Sequence, residues 1–355
     1  MMRAPHSMAV AVRKRDGSIL VRETPWEPVW AGIPAFRWPF LRGAVMLVES
    51  LWNGIQALGF SATEAELDEP ADSPASGDDA SGPDGAKAPD TSSGETLSKA
   101  ALAATIAVSM VFAFGLFAVL PRFITWGFGH LLGNAALESG TALLFHAVNG
   151  VVKLAIFLLY LWGISKMKDI QRVFEYHGAE HKSVFAYEAR AALSVPSAKS
   201  YTRFHPRCGT SFLILVLTVS IIVFSLSFPL LPRMAENTIL NQLLLVLVEL
   251  PLMFPIAGVA YELIKLSGKH PDHPVVRVIA APGLWLQRIT TQEPDEAQVE
   301  VALVAMLVAL RREISGESVH EEQRLSIKGL CDLDLPGAFE ERRSEDASLP
   351  LKVAS

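Results

Sequence analysis

The run His177-Gly178-Ala179-Glu180-His181 places two imidazoles four residues apart with a carboxylate beside them. On an α-helix, positions i and i+4 lie one turn apart on one face, so His177 and His181 can converge on one ion with Glu180 next to them. This H-x-x-E-H spacing is the one used by zinc proteases of the inverzincin type. A catalytic metal site keeps three protein ligands and an open position, so a third ligand must come from elsewhere in the chain. Glu188 shares the face of His177 but lies seven residues past His181, about 10 Å along a continuous helix, too far unless the helix breaks. The segment His205-Pro206-Arg207-Cys208-Gly209-Thr210 is the better source, with His205 the first choice and Cys208 the second.

With zinc as the ion, Glu180 is the expected general base for a water made nucleophilic near neutral pH. Arg207 is the expected group for an anionic part of the substrate or a developing oxyanion. Cys208 as a thiolate can ligate or attack. A nucleophilic Cys208 with His205 as base is less economical, because it leaves the histidine pair without a task. Without chemistry, His177, Glu180 and His181 make a polar helix face in which Glu180 pairs with a Lys or Arg, and Cys208 is a small buried residue. His270 and His273, in a Pro-containing stretch, read as turn residues.

The elements that must position these groups are membrane helices. Half of the 355 residues are hydrophobic and the mean hydropathy is positive. Residues 100–121 and 208–232 carry no charge, 139–165 only Lys153, and 237–261 only Glu249. Each stretch is long enough to span a bilayer. Between the second and third lie Lys166, Lys168, Arg172, Lys182, Arg190, Lys199, Arg203 and Arg207, whereas Arg122 and Arg233 are expected in the loops on the other side. Short cytoplasmic loops are enriched in Lys and Arg, which predicts that both termini and the histidine motif face the cytoplasm. There the two cysteines, Cys208 and Cys331, are expected to remain thiols. Lys153 and Glu249 are costly inside a bilayer unless paired, and the expected partner of each is the other.

The formal charge of −6 is concentrated in two acidic stretches, residues 61–98 and 316–355, and the remainder is basic. Nothing in it points to nucleic acid. Residues 61–98 are rich in acidic and small residues and poor in large apolar ones, which predicts a disordered linker. Near the start, 8–13 and 18–23 are β-prone around Asp16-Gly17, predicting a hairpin. Residues 39–60 read as an interfacial or core helix with Arg42, Glu49, Asn53 and Gln56 spread along it. The expected division is 1–60 for the hairpin and interfacial helix, 61–98 for the linker and 99–265 for four membrane helices with the site on loop 166–208. Residues 266–315 are then cytoplasmic C-terminal helices and 316–355 a mobile tail.

Tyr176-His177-Gly178-Ala179-Glu180-His181-Lys182, His205-Pro206-Arg207-Cys208-Gly209-Thr210-Ser211-Phe212, Pro282-Gly283-Leu284 and Thr290-Thr291-Gln292-Glu293-Pro294-Asp295 together resemble the bacterial YqhQ family. The likeness extends to residues 8–12, Asp16-Gly17, Arg42-Gly43, Glu49-Ser50-Leu51 and Tyr261-Glu262. It implies an uncharacterised bacterial membrane protein of a group labelled predicted metal-dependent enzymes, and it favours a metal site at His177, His181 and His205. Relatives carry a Gly-Gly-Gln-Ala-Val-containing stretch ahead of Met-Met-Arg, which implies residues upstream of Met1.

The resulting expectation is a mainly α, polytopic protein of the bacterial inner membrane with about four transmembrane helices, an N-terminal β-hairpin and a cytoplasmic helical face. Its partner is the lipid bilayer. The expected function is a zinc-type hydrolase with metal ligands among His177, His181, His205 and Cys208, and with Glu180 and Arg207 as catalytic groups. The alternative is a non-catalytic scaffold or regulator. A transporter dependent on Lys153 or Glu249 is third.

Overall fold

A computed structural model describes residues 1–28, 38, 41–68, 104–105, 107–138, 142–232, 234–270, 273–315 and 322–333. They are mainly helical, with one small antiparallel sheet. The strands are β1 (Met2–Arg3), β2 (Ser7–Arg13), β3 (Ile19–Pro25) and β4 (Gln323–Ile327). The principal helices are α1 (Leu41–Leu67), α2 (Ala107–Leu132), α3 (Leu143–Ile164), α4 (Lys168–Glu188), α5 (Gly209–Ser227), α6 (Thr238–Lys269), α7 (Pro274–Thr290) and α8 (Glu296–Ser315).

Among the described residues, four helical segments are long and apolar enough to cross a membrane: Ala107–Leu132, Leu143–Ile164, Gly209–Leu230 and Ile239–Lys269. In hydrocarbon the backbone must satisfy its own polar groups, which is why such uncharged stretches fold as helices, and why Pro251 and Pro255 are tolerated within α6. Helix α1 continues to Leu67, into the stretch expected as linker; residues 69–98 of that expectation lie outside the described residues.

The chain forms two compact units. The first comprises Met1–Asp68, Leu159–Val223 and Leu250–Ser355. Its sheet has the order β1-β2-β3-β4, and the predicted hairpin is its centre, with Arg13 opposite Ile19 and Gly17 at φ 86° in the turn. Strand β4 corrects the expectation of a mobile tail: Ile19 pairs with Ile327 and Val21 with Leu325. The open edge of β3 needed hydrogen-bond partners, and the alternation of Leu325 and Ile327 matches a strand covered on one side. Helix α8 is buried through Val299 and 301–309. It packs in one core with Ala9, Ile19 and Val21 of the sheet and Ala179 and Ala186 of α4, as a helix apolar on all faces must.

The second unit comprises Glu69–Leu158 and Phe224–Glu249. Here the expected contact exists, with Lys153 Nζ 3.3 Å from Glu249 Oε2. Arg122 corrects the reading of the first span. Expected in a loop, it lies inside α2 with no exposed surface and donates to Glu249 Oε1 and to Gln242 Oε1, each at 2.6 Å. Its guanidinium carbon lies 5.1 Å from the Phe145 ring centroid and 5.8 Å from that of Phe228. A charge looks like the end of a span only while its counter-charge, 127 residues further on, is unknown.

Candidate metal centre

Helix α4 starts directly after α3, and its third and fourth turns bring His177, Glu180 and His181 to one side. The ring centroids of His177 and His181 are 4.4 Å apart. The chain leaves α4 through Arg190 at φ 56°, makes a short turn at Val195–Lys199 and returns along α4 to the start of α5. The buried ammonium of Lys182 holds this return by donating to the carbonyls of Lys199 (2.9 Å) and Tyr201 (2.8 Å), and it pairs with Glu293 at 2.7 Å.

The return delivers Cys208 to the histidine pair. Its Sγ lies 3.1 Å from His177 Nε2, and ligand atoms of His177, His181 and Cys208 all fall within 4.8 Å of one another. Each imidazole is oriented from behind. His177 Nδ1–H donates to the Thr290 carbonyl at 2.9 Å and His181 Nδ1–H to the Arg203 carbonyl at 2.5 Å. That tautomer leaves both Nε2 atoms as electron-pair donors, the outer-shell arrangement that metal-binding histidines use.

Burial works against a charged His177 ring, but the bond to Cys208 and its charge, together with Glu180 and the Thr290 carbonyl, outweigh it and push the ring up to about 9. Burial likewise pushes the Cys208 thiol up, whereas hydrogen bonds from His177 and His181 and their charge bring it down to about 5. Without an ion, the pair is therefore imidazolium and thiolate between those limits.

His205 is not part of this group. Its Nδ1 accepts from the Arg207 backbone N–H at 3.2 Å and its Nε2 lies 3.4 Å from Glu188 Oε2, so both nitrogens are engaged, with its ring centroid 5.6 Å from that of His181. Of the two candidates for a third ligand, the second choice, Cys208, is the one brought together with the histidine pair. Glu188 remains apart from the group, as its distance along α4 required, and also pairs with Arg207. Burial raises the Glu188 carboxyl, but His205 and Arg207 more than compensate and hold it below the usual carboxylate range. Arg207, expected to face an anionic group, thus has a protein counter-charge, and it packs over Gly268, where an added Cβ would lie 2.5 Å from its Cδ. Glu180 lies against the α-amino group of Met1 and is about one-third exposed, at the rim of the site.

Helices were expected in 266–315, but the sequence reading missed that α7 stands behind the site. Gln287, fully buried on α7, accepts from the His205 backbone N–H and donates to the His205 carbonyl, both at 2.7 Å, and also donates to Ser211 Oγ at 2.9 Å. A glutamine on the inward face of α7, among Val276, Gly283, Leu286 and Thr290, was the available signal. Gly178 is equally dependent on this region, since a Cβ there would collide with the Gln292 carbonyl. Gln287→Leu leaves two buried backbone groups unpaired and loosens the loop that carries Cys208. If His177, His181 and Cys208 hold zinc, the substitution is expected to weaken its affinity roughly 10–100-fold; an affinity equal to wild type in chelator competition would show that Gln287 does not hold the Cys208 loop in place.

The family model described as "Protein of unknown function (DUF1385)" matches residues 38–312. A curated relative, the uncharacterized protein YqhQ of Bacillus subtilis (strain 168), is 30% identical over 319 residues, covering 89% of this chain and 91% of the relative. No solved structure matches the chain. Because the match takes in the membrane helices, the histidine motif, the Cys208 loop and the helix that clamps it, this chain belongs to the DUF1385 family of YqhQ-like proteins.

Proposed function

We propose that this protein is a metal-dependent hydrolase of the bacterial cytoplasmic membrane that holds a divalent ion, zinc by its donor set, on His177, His181 and Cys208. The observation that carries this reading is the orientation of both imidazoles: two backbone carbonyls take the Nδ1 protons, and the Nε2 atoms face the same sulfur. A tetrahedral ion with bonds of about 2.0 Å to nitrogen and about 2.3 Å to sulfur separates those donors by about 3.5 Å. The observed 3.1 Å between His177 Nε2 and Cys208 Sγ is close enough for small side-chain shifts to admit it.

An ion held by these three residues would supply Lewis acidity that makes water nucleophilic near neutral pH. Glu180, one helical step from His181 and partly open to solvent, would serve as the general base there. Arg207 and Glu188 set the charge beside the centre, and His205 supports them rather than ligating. The density of Lys and Arg between α3 and α5 supports a cytoplasmic location for the centre and both termini.

The 3.1 Å imidazole–thiol contact also supports a second reading, a thiolate nucleophile with His177 as its acid–base partner. Its weakness is that Cys208 is only 4% exposed. Elemental analysis of the full chain purified in detergent separates the two. Near-stoichiometric zinc, removed by chelator and regained on dialysis, is expected for the metal centre. A well-folded protein that takes up no zinc overturns it and leaves the thiolate or a non-catalytic scaffold.

A further inference from the structure

Helices α1 and α7 lie outside the four candidate spans, yet they pack backbone to backbone on the last two, α6 and α5. A Cβ at Gly43 of α1 would lie 2.6 Å from Tyr261 Cβ and 2.9 Å from Gly258 Cα in α6, and one at Gly283 of α7 would lie 2.5 Å from Ser211 Cβ in α5. Arg42 adds a two-pronged bond to Glu262 at 2.7 and 2.6 Å. Leu47 of α1 and Ile279 of α7 join Phe212, Leu215, Ala257 and Ala260 of the spans in a single apolar cluster.

The depth of that cluster follows from helix rise. Phe212 and Leu215 are three and six residues inside the span that starts at Gly209, and Ala257 and Ala260 are four and one residues from Tyr261, where the apolar stretch of α6 ends before Glu262 and Lys265. At 1.5 Å per residue these positions lie about 2–9 Å from the apolar ends, at the margin of the apolar slab.

At that level each helix carries an exposed apolar stripe, and α7 also exposes Arg277 beside its stripe. Val48 is 58% exposed and Trp52 62%; on α7, Val275, Val278 and Trp285 are 59%, 73% and 48% exposed. The spacings are helical, so each set forms one stripe. In α1 the polar residues Glu49 and Asn53 point inward and are buried, the reverse of a helix that faces water. Arg288, three residues beyond Trp285, is exposed, as a basic residue that reaches lipid phosphates would be.

We propose that α7 and the N-terminal half of α1 are seated in the bilayer beside α5 and α6, with phospholipid acyl chains against these two stripes and Arg288 at the phosphate level. Trp52 and Trp285 are their interfacial anchors. The opposite face of α7 carries Gln287 and Thr290, so the candidate centre then stands at headgroup depth. This assignment rests on packing and exposure and is independent of whether His177, His181 and Cys208 bind an ion.

The test uses nitroxide labels on single cysteines at Val48 and Val278. They are introduced into the full-length Cys331→Ser protein, with buried Cys208 left in place, and reconstituted in phosphatidylethanolamine–phosphatidylglycerol vesicles. Ile222 in α5 serves as the lipid-facing control and Ser200 as the water-facing control; the unsubstituted parent reports any labelling of Cys208. The expected result is a ratio of oxygen to nickel-chelate accessibility at both sites that matches Ile222 and exceeds Ser200 several-fold. A ratio matching Ser200 overturns the proposal in favour of water. Protection from both reagents also overturns it, assigning the face to a second copy if the labels couple to one another and to another protein surface if they do not.

Discussion

Cys208→Ser and His181→Ala are each expected to lower zinc from near one per chain to a trace, because each removes one of three protein donors. The affinity loss should exceed the roughly 10–100-fold caused by removing an outer-shell partner. His205→Ala should keep its metal if the ligand set is His177, His181 and Cys208, since the nitrogens of His205 are engaged by Glu188 and the Arg207 backbone. Loss of metal in His205→Ala but not in Cys208→Ser would reverse the assignment. The pH dependence is equally specific. With His177 up at about 9 and Cys208 down at about 5, the metal-free centre holds an imidazolium and a thiolate between those values. An ion needs the neutral ring and the thiolate, so binding in this window expels the proton of His177. Zinc affinity should therefore rise about tenfold per pH unit from about pH 5 to 9, and more steeply below the lower limit where the thiol is also protonated. Chelator competition with parallel proton-release measurements at neutral pH checks both. An affinity flat with pH would show that His177 is not the proton source.

What could be read from the chain alone follows the range of the interactions. The histidine pair was legible because i and i+4 coincide on any helix, and the spans because hydrocarbon thickness sets a minimum apolar length. The choice between His205 and Cys208 was not. It depends on which way one short loop faces, and that direction is set by Gln287, 82 residues later, and by Lys182 holding the chain at Lys199 and Tyr201. Strand β4 was hidden for a similar reason. Gln323–Ile327 is too short and polar to declare itself, and becomes a strand because β3, some three hundred residues earlier, offers an edge. Long-range partners that are polar and few leave little local pattern, whereas burial of a whole helix face leaves a periodic one.

Arg122 is the extreme case of a long-range partner, and removing that partner should have the largest effect on stability. Two cations, Arg122 and Lys153, share the carboxylate of Glu249, with Arg122 fully buried and the carboxylate side chain 6% exposed. Glu249→Leu leaves both cations in place while removing the charge that balances them. Breaking a buried pair from one side costs about 3–5 kcal/mol, because the remaining ion has already lost its water. In detergent this variant should lose its monodisperse elution peak at a much lower temperature than wild type. Replacing Arg122, Lys153 and Glu249 together by Leu removes the desolvation penalty along with the attraction and should recover most of that loss. The residual deficit comes from Gln242, whose buried carbonyl loses the Arg122 donor, a cost of about 1–3 kcal/mol. The ordering is the test: the single substitution must be less stable than the triple one. If instead the triple variant is the weaker, these charges contribute net stability beyond their desolvation, and the view of them as a mutually compensating structural group fails.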